Sequence, residues 1–252
     1  MIFITGDIHG DPVRLGSHSF YEQKEMTKDD VVIICGDFGL VWDFRGESKE
    51  EKYWLKWLED KPFTTVFVDG NHENFKRLYS YPVKEWNGGK VHEIRPHVLH
   101  LMRGEIYDIE GLKFFAFGGA SSHDIQDGII DPDEDEDWHK TASIWDRERK
   151  MFRIKDVSWW KEELPTQEEM MNGIENLKKV GNKVDYIITH SPSASVIALF
   201  GHGLYEQDVL TKYLEEIRSI VEYKKHFCGH MHVDHAVNSN DIILYEQIIR
   251  IA

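Results

Sequence analysis

Five short segments of this 252-residue sequence close an apolar run with glycine or threonine and then present oxygen and nitrogen ligands. They read Gly6-Asp7-Ile8-His9-Gly10, Gly36-Asp37, Gly70-Asn71-His72-Glu73, Thr189-His190 and Gly229-His230-Met231-His232. Asp7, His9, Asp37, Asn71, His190, His230 and His232 are therefore candidate metal ligands. The set contains no thiolate, which argues against a structural zinc site and suits Mn, Fe, Zn or Co. Seven donors exceed what one tetrahedral ion takes. Two divalent ions sharing a bridging carboxylate and a bridging hydroxide use them all, and ions about 3.5–4 Å apart clamp both the attacking and the leaving oxygen of a displacement. Residues two apart in an extended chain face the same side, so Asp7/His9 and His230/His232 can each converge on the ions. Asn71 and His72 are neighbours and point apart, so one can bind metal while the other faces a substrate.

Such ligands need a frame that brings strand ends to one edge. Met1–Thr5, Val31–Cys35 and Thr64–Val68 read as short buried strands, ended by Gly6, Gly36 and Asp69-Gly70. Helical patterns lie between them, from Pro12 to about Met26 and from Ser48 to Asp60. Alternation of strand and helix implies parallel pairing with right-handed crossovers. In an open α/β sheet ligands bind beyond the carboxyl ends of the strands. Further on, 97–102, 105–109 and 112–117 read as a three-stranded antiparallel meander with a turn at Glu110-Gly111. Residues 121–165 read as irregular and include the acidic run Asp131 to Asp137, with six acids in seven positions, expected to be a solvated loop. A helix over 168–180, a buried strand over 184–189, a helix over 207–221 and strands over 226–228, 232–237 and 242–249 complete the chain. The simplest account is one α/β domain over residues 1–252 with two sheets. Trp54, Trp57, Trp159 and Trp160 are expected to pack, not to stack on bases.

The ordered set Asp-x-His, Gly-Asp, Gly-Asn-His-Glu, His and Gly-His-x-His resembles the calcineurin-like metallophosphoesterase superfamily, and here it spans residues 6 to 232. The resemblance implies a two-sheet β-sandwich flanked by helices. It implies Asp7, His9 and His232 on one metal, Asn71, His190 and His230 on the other, and Asp37 as the bridge. It implies a catalytic pair of Asp37 and His72, with His72 protonating or steadying the leaving oxygen, and attack on phosphorus by a metal-bridging hydroxide. Two divalent ions are the implied cofactor, Mn²⁺ first, with Fe, Zn, Co or Ni able to replace it. The second block, Gly36-Asp37-Phe38-Gly39-Leu40-Val41-Trp42-Asp43, lacks the Asp-Arg-Gly of the protein serine/threonine phosphatases. It is closer to small bacterial and phage phosphoesterases, as is Gly118-Gly119-Ala120-Ser121-Ser122.

The formal net charge is −15, which opposes long-range attraction of a nucleic-acid backbone or an anionic membrane. A metal-loaded site would nonetheless be locally positive, so a small phosphate ester is the expected substrate. Candidates to bind it are Arg147, His123 and His202, with Arg45, Arg149 and Asp124 as further options. His97, His100, His226 and His235 are read as structural or incidental. Cys35 and Cys228 are read as buried strand residues, not a disulfide. With no signal-peptide pattern at Met1 and no long apolar run, a cytoplasmic setting is expected. The alternatives are a nuclease or cyclic-nucleotide phosphodiesterase on the same site, or a non-catalytic binding module. Loss of ligands would favour the module, and none is missing.

Overall fold

A computed structural model describes residues 1–201 and 207–252. The first sheet has seven strands in the order β15-β1-β2-β3-β6-β5-β4: β1 (Ile2–Thr5), β2 (Val31–Ile34), β3 (Thr64–Phe67), β4 (Val83–Trp86), β5 (Gly89–Arg95), β6 (Val98–Leu101) and β15 (Ile248–Arg250). The second has six in the order β13-β14-β12-β11-β8-β7: β7 (Glu105–Ile109), β8 (Leu112–Phe117), β11 (Tyr186–Thr189), β12 (Lys225–Cys228), β13 (His235–Ala236) and β14 (Asp241–Ile243). A separate parallel pair joins β9 (Gly128–Ile130) to β10 (Phe152–Ile154).

Alternation along each strand builds the layers. Ile2, Ile4, Val31, Ile33 and Val66 meet Tyr107, Phe114, Ala116, Ile188 and Phe227 of the other sheet in one core cluster. Phe3, Val32, Ile34 and Phe67 point the other way, to a second cluster with Leu55 and Leu58 of α1 (Lys49–Glu59). Phe115, Phe117 and Ile187 pack outward on Leu177 of α4 (Gln167–Lys179) and on Leu210, Leu214 and Ile217 of α6 (Val209–Ile220). Strands buried on both faces must be apolar throughout, which is why these runs do not alternate with polar residues. The result is the expected two-sheet sandwich flanked by helices.

Within the first sheet β1, β2, β3 and β6 pair in parallel, and within the second β8, β11, β12 and β14 do. The carboxyl ends of β1, β2, β3, β11 and β12 therefore come to one seam of the sandwich, and every segment singled out in the sequence follows one of them. Among the described residues no helix is long and apolar enough to cross a membrane.

Several expectations are corrected. The helix expected from Pro12 to Met26 is two short 3-10 turns, Val13–Leu15 and Tyr21–Glu25, separated by Gly16, Ser17 and Ser19, poor helix formers. The expected meander is divided: β6 pairs with β3 and β5 in the first sheet, while β7 and β8 form the hairpin in the second. The link between them carries the buried Arg103, whose guanidinium bonds Asp69 at the end of β3 (Nε to Oδ2, 3.0 Å). The β4–β5 hairpin turns on Asn87-Gly88, both at positive φ (48° and 88°), as a two-residue turn requires. The stretch 121–165 is not irregular: it holds β9, α3 (Trp138–Arg147) and β10. Helix α3 buries no residue fully, and its half-buried face is Trp138, Thr141, Ala142 and Trp145, at helical spacing. The acidic run before it is a loop, with Asp131 and Asp133 on Lys155 at 2.7 and 3.0 Å.

Below the seam a second buried charge ties α6 to β14. Asp241 accepts from Arg218 (2.6 Å), Asn238 (2.7 Å) and His226 (3.2 Å). Burial opposes its charge, but these partners outweigh burial and bring its carboxyl down to about 2. A carboxyl depressed on folding stabilises the fold above its unfolded value, near 3.8, and that contribution is lost as the pH falls from about 4 towards 2. The shift corresponds to about 2 kcal/mol. Urea unfolding of wild type and Asp241→Asn should therefore differ by roughly that amount at pH 7 and converge at pH 2. An equal gap at both pH values would contradict the assignment.

Candidate metal centre

All seven candidate ligands meet at the seam. Asp7 and His9 follow β1, Asp37 follows β2, Asn71 follows β3, His190 follows β11, and His230 and His232 follow β12. Two groups of donors lie close enough to hold an ion: Asp7, His9, Asp37 and His232, and Asp37, His190 and His230, with one atom from each within 4.8 Å of the others in its group. Asp37 belongs to both. His9 Nε2 lies 3.1 Å from Asp37 Oδ2 and His190 Nε2 3.2 Å from Asp37 Oδ1. On the other side His232 Nε2 lies 3.5 Å from Asp7 Oδ2.

The loops reach this geometry by a route the sequence did not suggest. The i, i+2 pairs do not sit in extended chain. His9, Asp37, His230 and His232 all have positive φ, at 46°, 43°, 67° and 49°. Left-handed backbone at a non-glycine residue costs about 1–3 kcal/mol and persists where the surroundings enforce it, commonly at functional sites. Here Glu73, wholly buried, accepts backbone N–H groups of Phe38 (2.8 Å) and Gly39 (3.1 Å) and so pins the loop after β2. The backbone N–H of His230 donates to Asp7 (3.0 Å to Oδ2), and that of His72 donates to Asp37 Oδ1 (2.9 Å). Two glycines allow the approach. A Cβ on Gly70 would stand 2.1 Å from Asp37 Oδ1, and one on Gly229 would stand 2.0 Å from Asp7 Oδ1.

Electrostatics and hydrogen bonding favour a cation. Asp7 and Asp37 are both buried. Burial, with a contribution from Asp37, raises the Asp7 carboxyl to about 6. Burial also opposes the charge of Asp37, but His190, His9 and His72 hold it well below the usual carboxylate range. For His190 burial works downward, and Asp37 and Asp7 override it and raise the imidazole to about 10. A divalent ion satisfies the same carboxylates by displacing that proton. His190 Nδ1 donates to the Cys35 carbonyl (2.8 Å), which leaves Nε2 buried and facing Asp37 in the cluster. Asn71 is oriented likewise. Its Nδ2 donates to Ser122 Oγ (3.3 Å), which donates to Glu163 Oε2 (2.7 Å), and its Oδ1 is buried without a partner. Donors turned inward by a second set of hydrogen bonds are how proteins present ligands to a metal. A divalent ion therefore fits the residues present.

The remaining expected site residues divide. His72 stands at the mouth, its Nε2 3.1 Å from Arg153 Nη2. A guanidinium only donates, so His72 accepts at Nε2 and carries its proton on Nδ1. Burial, with the charge of Arg153, lowers its imidazole to about 4. His123 lines the mouth and lies 3.0 Å from His230 (Nε2 to Nε2). Asp124 is there too, pairing with Arg153 Nε at 2.6 Å. Arg147 is not: it is exposed at the end of α3, its Nε on the Ser143 carbonyl. Arg149 is exposed next to it, and His202 lies outside the described residues. The cation that reaches the cluster is Arg153, on β10, which sequence reasoning missed because its strand sits inside the stretch read as irregular. Ser122 and Glu163 were missed for the same reason. Cys35 and Cys228 are buried and unpaired.

Side-chain rings continue the cluster outward at both ends. Trp42 stacks on His72 (centroids 5.3 Å, 26°), His72 meets His9 (4.8 Å), His9 meets His232 (4.8 Å), and Tyr245 stacks on His232 (5.1 Å, 25°).

A sandwich of two sheets with Asp, Asn and His gathered at the carboxyl ends of its parallel strands defines a metallophosphoesterase architecture. The calcineurin-like phosphoesterase family model matches residues 1–234, and the chain belongs to that family. Among characterised proteins it is 25% identical over 170 residues to lariat debranching enzyme A of Xenopus laevis, covering 62% of this chain and 30% of that enzyme. It is 23% identical over 246 residues to the lariat debranching enzyme of Drosophila pseudoobscura pseudoobscura, covering 92% of this chain and 42% of the enzyme. It is 26% identical over 140 residues to that of Danio rerio, covering 50% and 23%. The chain thus spans less than half the length of the curated relatives it matches.

The close approach at Gly229 yields a direct check. Gly229→Ala should leave the far-ultraviolet circular dichroism of the fold in place but displace Asp7. Divalent-ion affinity by calorimetry should fall about 10–100-fold. Unchanged affinity would mean that Asp7 is not held where the structure has it.

Proposed function

We propose that this chain is a metal-dependent phosphoesterase, formed as one domain from both sheets. The observation that carries the reading is the pair of donor groups that share Asp37. Asp7, His9, Asp37 and His232 would hold one divalent ion, and Asp37, Asn71, His190 and His230 the other. When bound, such ions supply Lewis acidity and a water activated near neutral pH. Mn²⁺ is the ion we expect, and Fe, Zn, Co or Ni would satisfy the same donors. A cytoplasmic setting agrees with two unpaired thiols. Because the donor set is intact, we favour an enzyme over a binding module.

The protein's own groups then divide the work on a phosphate ester. Arg153 is a permanent cation at the mouth, and a guanidinium binds phosphate oxygens through paired N–H groups. Asp124 holds its Nε and the carbonyl of Ser158 its Nη1, at 2.6 and 3.1 Å, so the charge is oriented before substrate arrives. His72 is neutral with its free lone pair on Arg153. It takes up a proton for the leaving oxygen only when a phosphate next to it draws Arg153 away and favours the charged ring. Arg153 and His72 therefore act as a pair, which sharpens the sequence-based role of His72. The relatives are named for debranching lariats, and that supports a phosphodiester over a monoester. A nuclease acting on long strands would need a basic channel, and a net charge of −15 opposes one.

Turnover of aryl phosphate mono- and diesters with each of Mn²⁺, Fe²⁺, Zn²⁺, Co²⁺ and Ni²⁺ tests the reading, and absence of turnover with every ion would sink it. Asp37→Asn should lose both ions by metal analysis, since both groups need it. His72→Ala should keep its metal and lose about 10²–10⁴-fold in kcat. Loss of metal in that variant would instead reverse the roles of Asn71 and His72. Arg153→Ala should keep metal and raise KM, with Arg153→Lys recovering little because a lysine cannot reproduce the fork.

A further inference from the structure

Beside the mouth of about 340 Å³ lined by Asp37, His72, Arg153 and His230, two larger cavities adjoin the cluster and meet at His9. One, of about 570 Å³, runs past Trp42, Phe44 and Arg45 to Ser158. The other, of about 630 Å³, runs past Val13 and Arg14 to His232 and Tyr245. They share His9 alone and are built from different elements. The row of rings from Trp42 through His72, His9 and His232 to Tyr245 gives the order: one cavity has the tryptophan end, the other the tyrosine end. A phosphomonoester carries one organic substituent and would fill one arm. A diester carries two, which leave phosphorus in different directions.

The walls state the kind of substituent. Phe44, 46% exposed, and the half-buried Trp42, which stacks on His72, line the first arm, and the half-buried Tyr245, between His232 and the Arg14 guanidinium, lines the second. Planar surfaces of this kind hold nucleobases by stacking. Charge sets the limit on length. Asp43, Glu50 and Glu51 line the first arm and Asp11 and Glu246 the second. The arginines there are engaged: Arg45 with Asp43 at 3.2 Å, and Arg14 with the backbone carbonyls of Asp7 (2.7 Å) and Tyr245. Asp43 is paired with Arg45 and Glu51 with Arg77, so it is Glu50 in the first arm and Asp11 and Glu246 in the second that repel further phosphates.

We infer that the substrate is a short phosphodiester joining two nucleosides, one seated along Trp42 and Phe44 and the other along Tyr245, with the linking phosphate at the Asp37 cluster. This rests on the phosphoesterase reading and adds to it the substrate class and the residues that select it.

The test uses the Mn²⁺-loaded enzyme with four substrates: a dinucleoside monophosphate, the matching nucleoside monophosphate, methyl p-nitrophenyl phosphate and a single-stranded oligonucleotide. The dinucleoside should exceed the nucleoside monophosphate, and the oligonucleotide per bond, by at least about tenfold in kcat/KM. Phe44→Ala and Tyr245→Ala should each raise KM for the dinucleoside about tenfold, the loss of one stacked base, and narrow its advantage over methyl p-nitrophenyl phosphate. A nucleoside monophosphate or oligonucleotide turned over as well as the dinucleoside overturns the inference and leaves the phosphoesterase reading standing. So do variants that depress the dinucleoside and the methyl ester in parallel. No turnover of any of the four overturns the phosphoesterase reading itself.

Discussion

Two carboxylates, Asp7 and Asp37, are buried at the seam where the two sheets meet, and charge in such a place must be compensated. Much of the local structure answers that requirement. Backbone N–H groups of His72 and His230 turn towards the two carboxylates. The left-handed residues of the loops bring imidazoles in from opposite sheets. Strand-ending glycines leave room for a carboxylate, Gly70 for Asp37 after the neighbouring strand and Gly229 for Asp7 from the other sheet. None of these local choices is favourable alone. Each makes sense only around a pair of negative charges that a cation can share.

The surrounding polar network follows the same logic one step further out. The Cys35 carbonyl fixes the tautomer of His190, and Ser122 with Glu163 fixes the amide of Asn71. Burial raises the Glu163 carboxyl to about 8, so near neutrality it carries little charge and does not compete with Asp7 and Asp37 for a cation. The β9–α3–β10 segment, which carries Arg153, and the turn after it, which carries Glu163, are thus part of the site and not an appendage.

What was legible in the sequence had short-range causes. Glycine after a β-branched run marks a strand end, and Asp, Asn and His directly after it mark a ligand-bearing loop. That sufficed to name the seven candidate ligands that the structure brings to one seam, and the strands they follow. The Asn87-Gly88 turn was equally readable from its dipeptide, and it marked a hairpin that the sequence reading left out. Arg153 was different. Its importance comes from contacts with Asn71 and His72, some eighty positions away, and no local pattern encodes them. Helix α3 was readable and overlooked: Trp138, Thr141, Ala142 and Trp145 stand at helical spacing, directly after the acidic run that marks a loop. The Gly16–Ser19 segment shows the converse, a plausible apolar spacing defeated by residues that favour turns. The tryptophans divide: Trp160 is fully buried as expected, whereas Trp42, in the loop after β2, backs a site histidine.

The candidate ligands lie far apart in sequence: Asp7 is bonded to His230 across 223 positions. On a ribosome the first sheet's ligands emerge long before those of the second. Until the last strands are made, Asp7 and Asp37 lack His190, His230 and His232, and the nascent chain has only part of a coordination shell. The cluster is thus a report on closure: its members are brought together only when the two sheets have docked on one another.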